Sequence, residues 1–202
     1  MSDDSELNTP RMIATDSKPR QETSRAPSWP RLLEHFYSKL GLSLPAIGDL
    51  DGPSVPEPYR GLLVHSSDMT PTLEGFYGQP MRLTVLTREH HADFYHREVI
   101  LKAAVDSRPV EYGVIRICLK HLPEHARARV LAEERPLGNI LQTESIAHLS
   151  WPQAFFQIES DSHLGHVLFL AQPRTLYGRR NVLLDGSRRL LAEVIEILAP
   201  AS

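Results

Sequence analysis

The chain has 202 residues and a formal net charge of -3, from 22 Lys and Arg against 25 Asp and Glu. The basic residues are scattered, with no stripe or tail of them, which argues against a general nucleic-acid binder. A single cysteine, Cys118, excludes an intramolecular disulfide framework.

Residues 1–29 are Ser, Asp, Thr, Pro, Arg and Gln with almost no branched or aromatic apolar content. Such a segment buries too little surface to offset its ordering entropy, so a disordered tail is expected there and one domain over 30–202. The N-terminus has no apolar core of the kind a secretory signal needs, and no apolar run approaches the roughly 20 residues of a spanning helix. A cytoplasmic location without membrane contact is the expectation.

Leu32, Leu33, Phe36, Tyr37 and Leu40 fall at helical spacing over 31–40, and Gly41 is a stop signal. The Pro- and Gly-rich segment 42–60 reads as a surface loop. Residues 62–77 read as helical, with Asp68 as a cap and Pro71 in the first turn. Met81–Thr87 alternates as a strand does, and 94–105 and 110–119 follow as second and third strands around an Asp106-Ser107-Arg108-Pro109 turn. Residues 123–134 and 137–143 read as two helices. The segment 144–162 fits no simple pattern, because Trp151-Pro152 interrupts it. Strands are predicted at 167–170, 179–184 and 190–198, with Asp185-Gly186 as the hairpin turn between the last two. The sum is an α+β domain: a six-stranded, mostly antiparallel sheet with helical flaps over 68–77 and 121–143 covering a ligand pocket at the sheet's edge.

Few residues stand out chemically. Cys118 lies in an apolar run and reads as a buried spectator thiol. Arg97 sits in a strand between His96 and Glu98. Residue type favours the solvent face, but an inward arginine would need an anion, and its planar fork suits a carboxylate. Glu193 interrupts the apolar run 190–198. Glu196, three residues on, belongs to the opposite face of a regular strand, so at most one of the two faces a pocket. Pro136-Leu137-Gly138 opens a helix whose first N–H groups suit an anion, although a plain helix start explains it equally. His90, His91, Asp93 and His96 invite a metal reading, but no Cys or HExxH pattern supports one, so no metal is expected. No Gly-rich phosphate loop and no G-x-S-x-G elbow is present.

Four motifs carry a resemblance: Asp68-Met69-Thr70 with Pro71, Arg97-Glu98 with Val99-Ile100-Leu101, Pro136-Leu137-Gly138, and Gly178-Arg179-Arg180 followed by Leu190-Leu191-Ala192-Glu193-Val194. In order and spacing, residues 62–200 resemble the chorismate pyruvate-lyase family, in its divergent branch. The resemblance implies a chorismate lyase-like fold with helical flaps over the ligand. It implies elimination of pyruvate from chorismate to give 4-hydroxybenzoate, a step feeding ubiquinone or another aromatic pathway, in a cytoplasmic monomer without cofactor. Arg97 would then bind the ring carboxylate, the Leu137 amide would help hold a carboxylate, and Met69 would line the pocket. Glu193 would be the pocket carboxylate near the leaving enolpyruvyl oxygen, with Arg97 and Glu193 as the catalytic pair. The sequence departs from the family at Tyr177, where Trp is usual, in its longer last strand, and in 144–163, which has no counterpart. A slip of register in the last strand would exchange Glu193 for Glu196.

Two other readings remain. One is a lyase acting on a different carboxylated ring. The other is a non-catalytic sensor or binder of a small aromatic carboxylate, since effector domains of some transcription regulators resemble the same fold. Such a regulator needs a DNA-binding module of roughly sixty residues ahead of the domain. Residues 1–45 do not supply it, so the expected form of that alternative is a stand-alone binder with no nucleic-acid partner.

Overall fold

Alternating apolar segments make up most of the chain from residue 81 onward, and they assemble into one antiparallel sheet. A computed structural model describes residues 30–201; the tail expected over 1–29 lies outside the described residues. The strands are β1 (Ile47–Leu50), β2 (Met81–His91), β3 (Phe94–Ala103), β4 (Pro109–Cys118), β5 (His148–Glu159), β6 (Thr175–Asp185) and β7 (Leu190–Leu198). Their order is β1-β5-β6-β7-β4-β3-β2, and every neighbouring pair is antiparallel. The helices are α1 (Arg31–Lys39), α2 (Tyr59–Leu63), α3 (Met69–Tyr77), α4 (Glu124–Ala132), α5 (Leu137–Thr143) and α6 (Ser162–Val167).

Helices cover both faces of the sheet. On the back face, α1 buries Leu32, Leu33, Phe36 and Tyr37 against Tyr112, Val114, Phe156, Ile195 and Ile197, and α6 adds Leu164 and Val167. Nine residues are too few for a helix to persist alone in water. This packing, roughly 1.5–3 kcal/mol for each large side chain, is what holds α1 in place. Its end is a Schellman turn: Gly41 takes φ +69, and Leu42 N–H donates back to Tyr37 O at 2.9 Å. Beneath α1 and α6, buried Glu98 accepts from Tyr112 Oη and His163 Nε2 at 2.8 Å and from Thr87 Oγ1 at 3.0 Å. Burial pushes its pKa up, but those donors more than offset this and hold it below the ordinary value.

The front face is split. Leu62, Leu63, Met69 and Leu73 from α2 and α3 pack over one part of it, and Ala126, Val130, Ile140 and Leu141 from α4 and α5 over another. The gap between these two apolar clusters is where the site lies.

The α+β class and the antiparallel sheet stand as the sequence predicts, with one more strand than expected and three elements that differ. The segment 144–162 holds β5, whose Pro152 sits at a bulge. The edge strand β1 pairs only with residues 155–158 of β5, so Pro152 has no partner on its free side to deprive of a hydrogen bond. β1 itself, four residues with a Gly and an Asp, reads locally as loop. Residues 167–170 end α6 instead of forming a strand: Asp161 caps that helix by accepting from Leu164 N–H at 2.9 Å, and Leu164, Val167 and Leu168 are buried at helical spacing. A short apolar run cannot distinguish the two by periodicity.

Gly178 in β6 is fixed by close approach. A Cβ there would lie 2.5 Å from the Glu196 carbonyl oxygen and 2.5 Å from the Phe156 ring. One of these is backbone and the other a fully buried ring, so neither can yield cheaply. Gly178→Ala is expected to lower unfolding stability by roughly 1–3 kcal/mol or more, read as a shifted urea midpoint; an unchanged midpoint would mean the strand can re-register.

Candidate functional site

Two arginines are buried on the front face, and they are in opposite states. Arg179 on β6 is fully buried and fully occupied. Its Nε donates to Glu196 Oε2 at 2.5 Å, its Nη1 to the carbonyls of Leu63 and His65 at 3.2 and 3.1 Å, and its Nη2 to Ser67 O at 3.2 Å. Arg97 on β3 is 1% exposed, yet its Nε and Nη1 have no hydrogen-bond partner. Burial pulls its pKa down, with Tyr95 and Glu133 acting the other way. Glu133 is already committed, to Arg88 Nη1 at 2.7 Å and to the Tyr95 hydroxyl. Uncompensated burial of a guanidinium is costly, and native interiors rarely leave one so.

A cavity of about 60 Å³ opens beside Arg97. Its floor is the middle of the sheet, with Val99, Leu101, Ile115 and Val194 as apolar walls, so it lies over the face of the sheet and not at the edge predicted from sequence. Its roof is the first turns of α3 and α5, through Met69, Thr70, Leu137 and Gly138. Gly113 makes room in the floor: a Cβ there would come within 3.3 Å of Glu111 Oε1 and 3.2 Å of Val99 Cγ2.

Four further polar side chains line it: Asp68, Glu111, Asn181 and Glu196. Asn181 Nδ2 donates to Ser150 Oγ at 2.9 Å, and Ser150 spends its own proton on Ser67 O at 3.3 Å. That chain fixes the amide orientation and leaves Asn181 Oδ1 without a partner. Glu111 is buried, with Oε2 unpartnered. Desolvation, reinforced by the Glu196 carboxylate and opposed by Arg179, raises its pKa well above the ordinary 4.5. The protonated form of Glu111 is thus favoured beside Glu196, which accepts from Arg179.

Of the residues singled out from sequence, the structure brings Arg97, Met69 and Leu137 together around this cavity. It does not bring Glu193 there. Glu193 lies on the back face, bonded to Arg116 Nη2 at 2.9 Å and Arg180 Nε at 2.8 Å, while Glu196 occupies the cavity side. The alternation of β7 allows one of the two, and the buried face selects Glu196. Asp68 stands at the N-cap position of α3 without capping it; its carboxylate accepts from His148 Nε2 instead. Glu111, Arg179 and Asn181 were missed. Arg179 and Arg180 alternate in β6, so one must face inward, but only the register of β6 against β7 says which.

No protein-family model and no curated protein matches the sequence. Solved structures do match. PhnF from Mycobacterium smegmatis aligns at TM-score 0.50 and 9% identity, over 83% of this chain and 93% of that one. Its effector domain alone aligns at TM-score 0.50 and 10% identity, over 66% and 88%. A GntR-family transcriptional regulator from Bacillus cereus aligns at 0.44 and 13%, over 59% and 92%. At these identities the likeness shows the fold, the chorismate lyase-like one that such effector domains share. The expectation of a carbon–oxygen lyase is corrected on this finding: the solved structures that the fold resembles are regulator domains. The displacement of Glu193 to the other face removes the catalytic pair on which that expectation rested.

His148 ties the roof down. Its Nδ1 lies 2.8 Å from Ile146 O and its Nε2 2.9 and 3.0 Å from the Asp68 oxygens. Both partners are acceptors, so both ring nitrogens donate only when the imidazole is protonated. The Asp68 bond raises its pKa from 6.5, against a smaller opposing effect of burial. Folding therefore strengthens proton binding. The clamp contributes its full stability below about pH 6.5 and loses it as pH rises through the raised value. Protection of the Thr72 amide, taken as its exchange rate relative to the intrinsic rate at each pH, is expected to fall over that rise in the native chain. His148→Gln should abolish the fall, and pH-independent protection in the native chain would count against the clamp.

Proposed function

We propose that this domain binds a small aromatic carboxylate in the Arg97 cavity, as a sensor or carrier that does not turn it over. The observation that carries the reading is the pair of unpartnered N–H groups on a guanidinium buried inside that cavity. A carboxylate supplies the missing charge and accepts both bonds through the guanidinium fork. The apolar walls suit a ring. At the far end, Glu111 in its neutral form donates and Asn181 Oδ1 accepts, which suits a ring hydroxyl. On this reading the backbone amide of Leu137, at a helix start that lacks intrahelical acceptors, adds a bond to the carboxylate, and Met69 packs on the ring.

Calorimetric titration with 4-hydroxybenzoate is expected to give saturable one-site binding, while chorismate incubated with the protein yields no 4-hydroxybenzoate above background. Arg97→Met should weaken binding by about 2–5 kcal/mol. It should also leave the melting temperature of the free protein unchanged or higher, because it removes an uncompensated buried charge. A large drop in melting temperature would mean that Arg97 is structural. No binding of 4-hydroxybenzoate, benzoate or salicylate would sink the ligand class.

Glu111 makes affinity depend on pH. As pH rises through its raised pKa, a second negative charge joins Glu196 beside the anion, so binding should weaken on the alkaline side. Glu111→Gln should hold affinity level over that range; an identical fall in the variant would place the titrating group elsewhere. The same linkage acts on stability: the neutral acid's contribution is complete below pH 4.5 and declines as pH rises toward the raised value.

A further inference from the structure

The back face carries a second concavity with a different chemistry. A cleft of about 410 Å³ beside the start of α1 is lined by Arg31 and His35 from that helix, and by His96, Arg116, Glu193 and Arg180 from β3, β4, β7 and β6. These four strands are neighbours, and His96, Arg116 and Glu193 stand directly opposite one another in register. The side chains therefore form a row across the sheet under the helix N-terminus.

The charge in this row is unbalanced. Glu193 is shared by Arg116 Nη2 at 2.9 Å and by Arg180 Nε and Nη2 at 2.8 Å. Arg31 is exposed and makes no hydrogen bond or ion pair with the described residues. Nearby, Lys39 and His35 both bond Glu89, so Lys39 and Glu89 cancel. His91 on β2 and the His96 ring complete the titratable groups facing the cleft. Three arginines against one glutamate leave an excess of two positive charges. Two of the arginines are also held in place, Arg180 by Glu193 and Arg116 by Glu193 and the Phe94 ring, over which it lies at 5.2 Å; Arg116 Nε and His96 Nδ1 are buried without a partner. His96 senses the resulting field. Burial, then His35, Arg116, His91 and Lys39, all lower its pKa, to about 4.

We propose that this cleft binds a phosphate group, as the free ion or as the head of a small phosphomonoester. The excess charge matches a dianion. The guanidinium groups approach from a helix and from two strands two positions apart, which suits a tetrahedral oxyanion better than a planar carboxylate. The cleft is several times larger than the front cavity, faces the other side of the sheet, and shares no residue with it. Its occupancy is therefore independent of the front ligand.

The test is histidine-resolved NMR on the full chain, with inorganic phosphate titrated at constant ionic strength maintained by chloride. Saturable shifts at His96 and His35 are expected, with the His96 pKa rising as the anion offsets the positive field. Arg31→Gln and Arg180→Gln should each weaken binding roughly tenfold, and Arg97→Met should leave it unchanged. Because Arg31 is exposed and has no partner among the described residues, its variant is expected to fold independently of the outcome. Tighter saturation by glycerol phosphate than by inorganic phosphate would identify a phosphomonoester, and equal saturation the free ion. Non-saturating shifts, shifts reproduced by chloride, or loss of binding in Arg97→Met with retention in Arg31→Gln would each overturn the proposal.

Discussion

The interaction on which the front of the molecule depends is the buried bond between Arg179 and Glu196. It does more than neutralise two charges. Three backbone carbonyls, from Leu63 at the end of α2 and from His65 and Ser67 in the segment that follows it, also converge on Arg179. An arginine is suited to this because its donors project in a fixed plane from one rigid group. Removing it would leave a buried carboxylate and the His65 carbonyl unpaired, a loss on the order of 3–5 kcal/mol for the ion pair alone. The loop so anchored delivers Asp68 and Met69, and with them the start of α3, over the cavity.

The contrast with Arg97 turns a packing description into a functional one. Both arginines are buried on the same face of the sheet. One meets every acceptor the fold can offer, and the other faces an apolar hollow with its nearest acid, Glu133, already bonded elsewhere. The back face shows that this sequence satisfies buried charge where only structure is at stake: Glu98 has three donors. The unfilled Arg97 guanidinium beside the cavity is the observation on which the proposed anion site rests. The carboxylate assigned in sequence to the leaving oxygen is on the other side of the sheet, and Glu196, which takes its place in the cavity, accepts from Arg179.

How much of this was legible in the sequence follows from how local each feature is. Alternation at the start of β2, and the apolar runs of β3, β4 and β7, which are buried on both faces, are local signals, so those strands could be read directly. The short motifs likewise located Arg97, Met69 and Leu137. What failed depended on non-local facts. β5 is a strand because β6 pairs with it, despite Pro152. α6 is a helix because of one capping aspartate. Choosing between Glu193 and Glu196 required the side of the sheet on which β7 buries each residue, and within β7 both are flanked by equally apolar neighbours. Glu111 looked like an ordinary strand glutamate near a turn. Only its neighbours Glu196, Arg179 and Gly113, brought from distant segments, give it a proton and a pocket.

The size of the cavity bears on how a binding event would be felt by the rest of the domain. A dry cavity of about 150 Å³ holds benzene, and the space beside Arg97 is about 60 Å³. A ring carboxylate therefore enters only if the roof gives way. The floor is the centre of a seven-stranded sheet and is the stiffer wall. The roof is two short helices, and the start of α3 is fastened through the His148–Asp68 clamp and the Arg179 carbonyl contacts. Of these, the clamp is the weaker, being partly exposed and conditional on one proton. Ligand affinity is then set partly by the work of shifting α3, and whatever strengthens or loosens the clamp changes affinity by the same free energy. On the proposed function, occupancy of a small cavity would thus be converted into displacement of a surface helix.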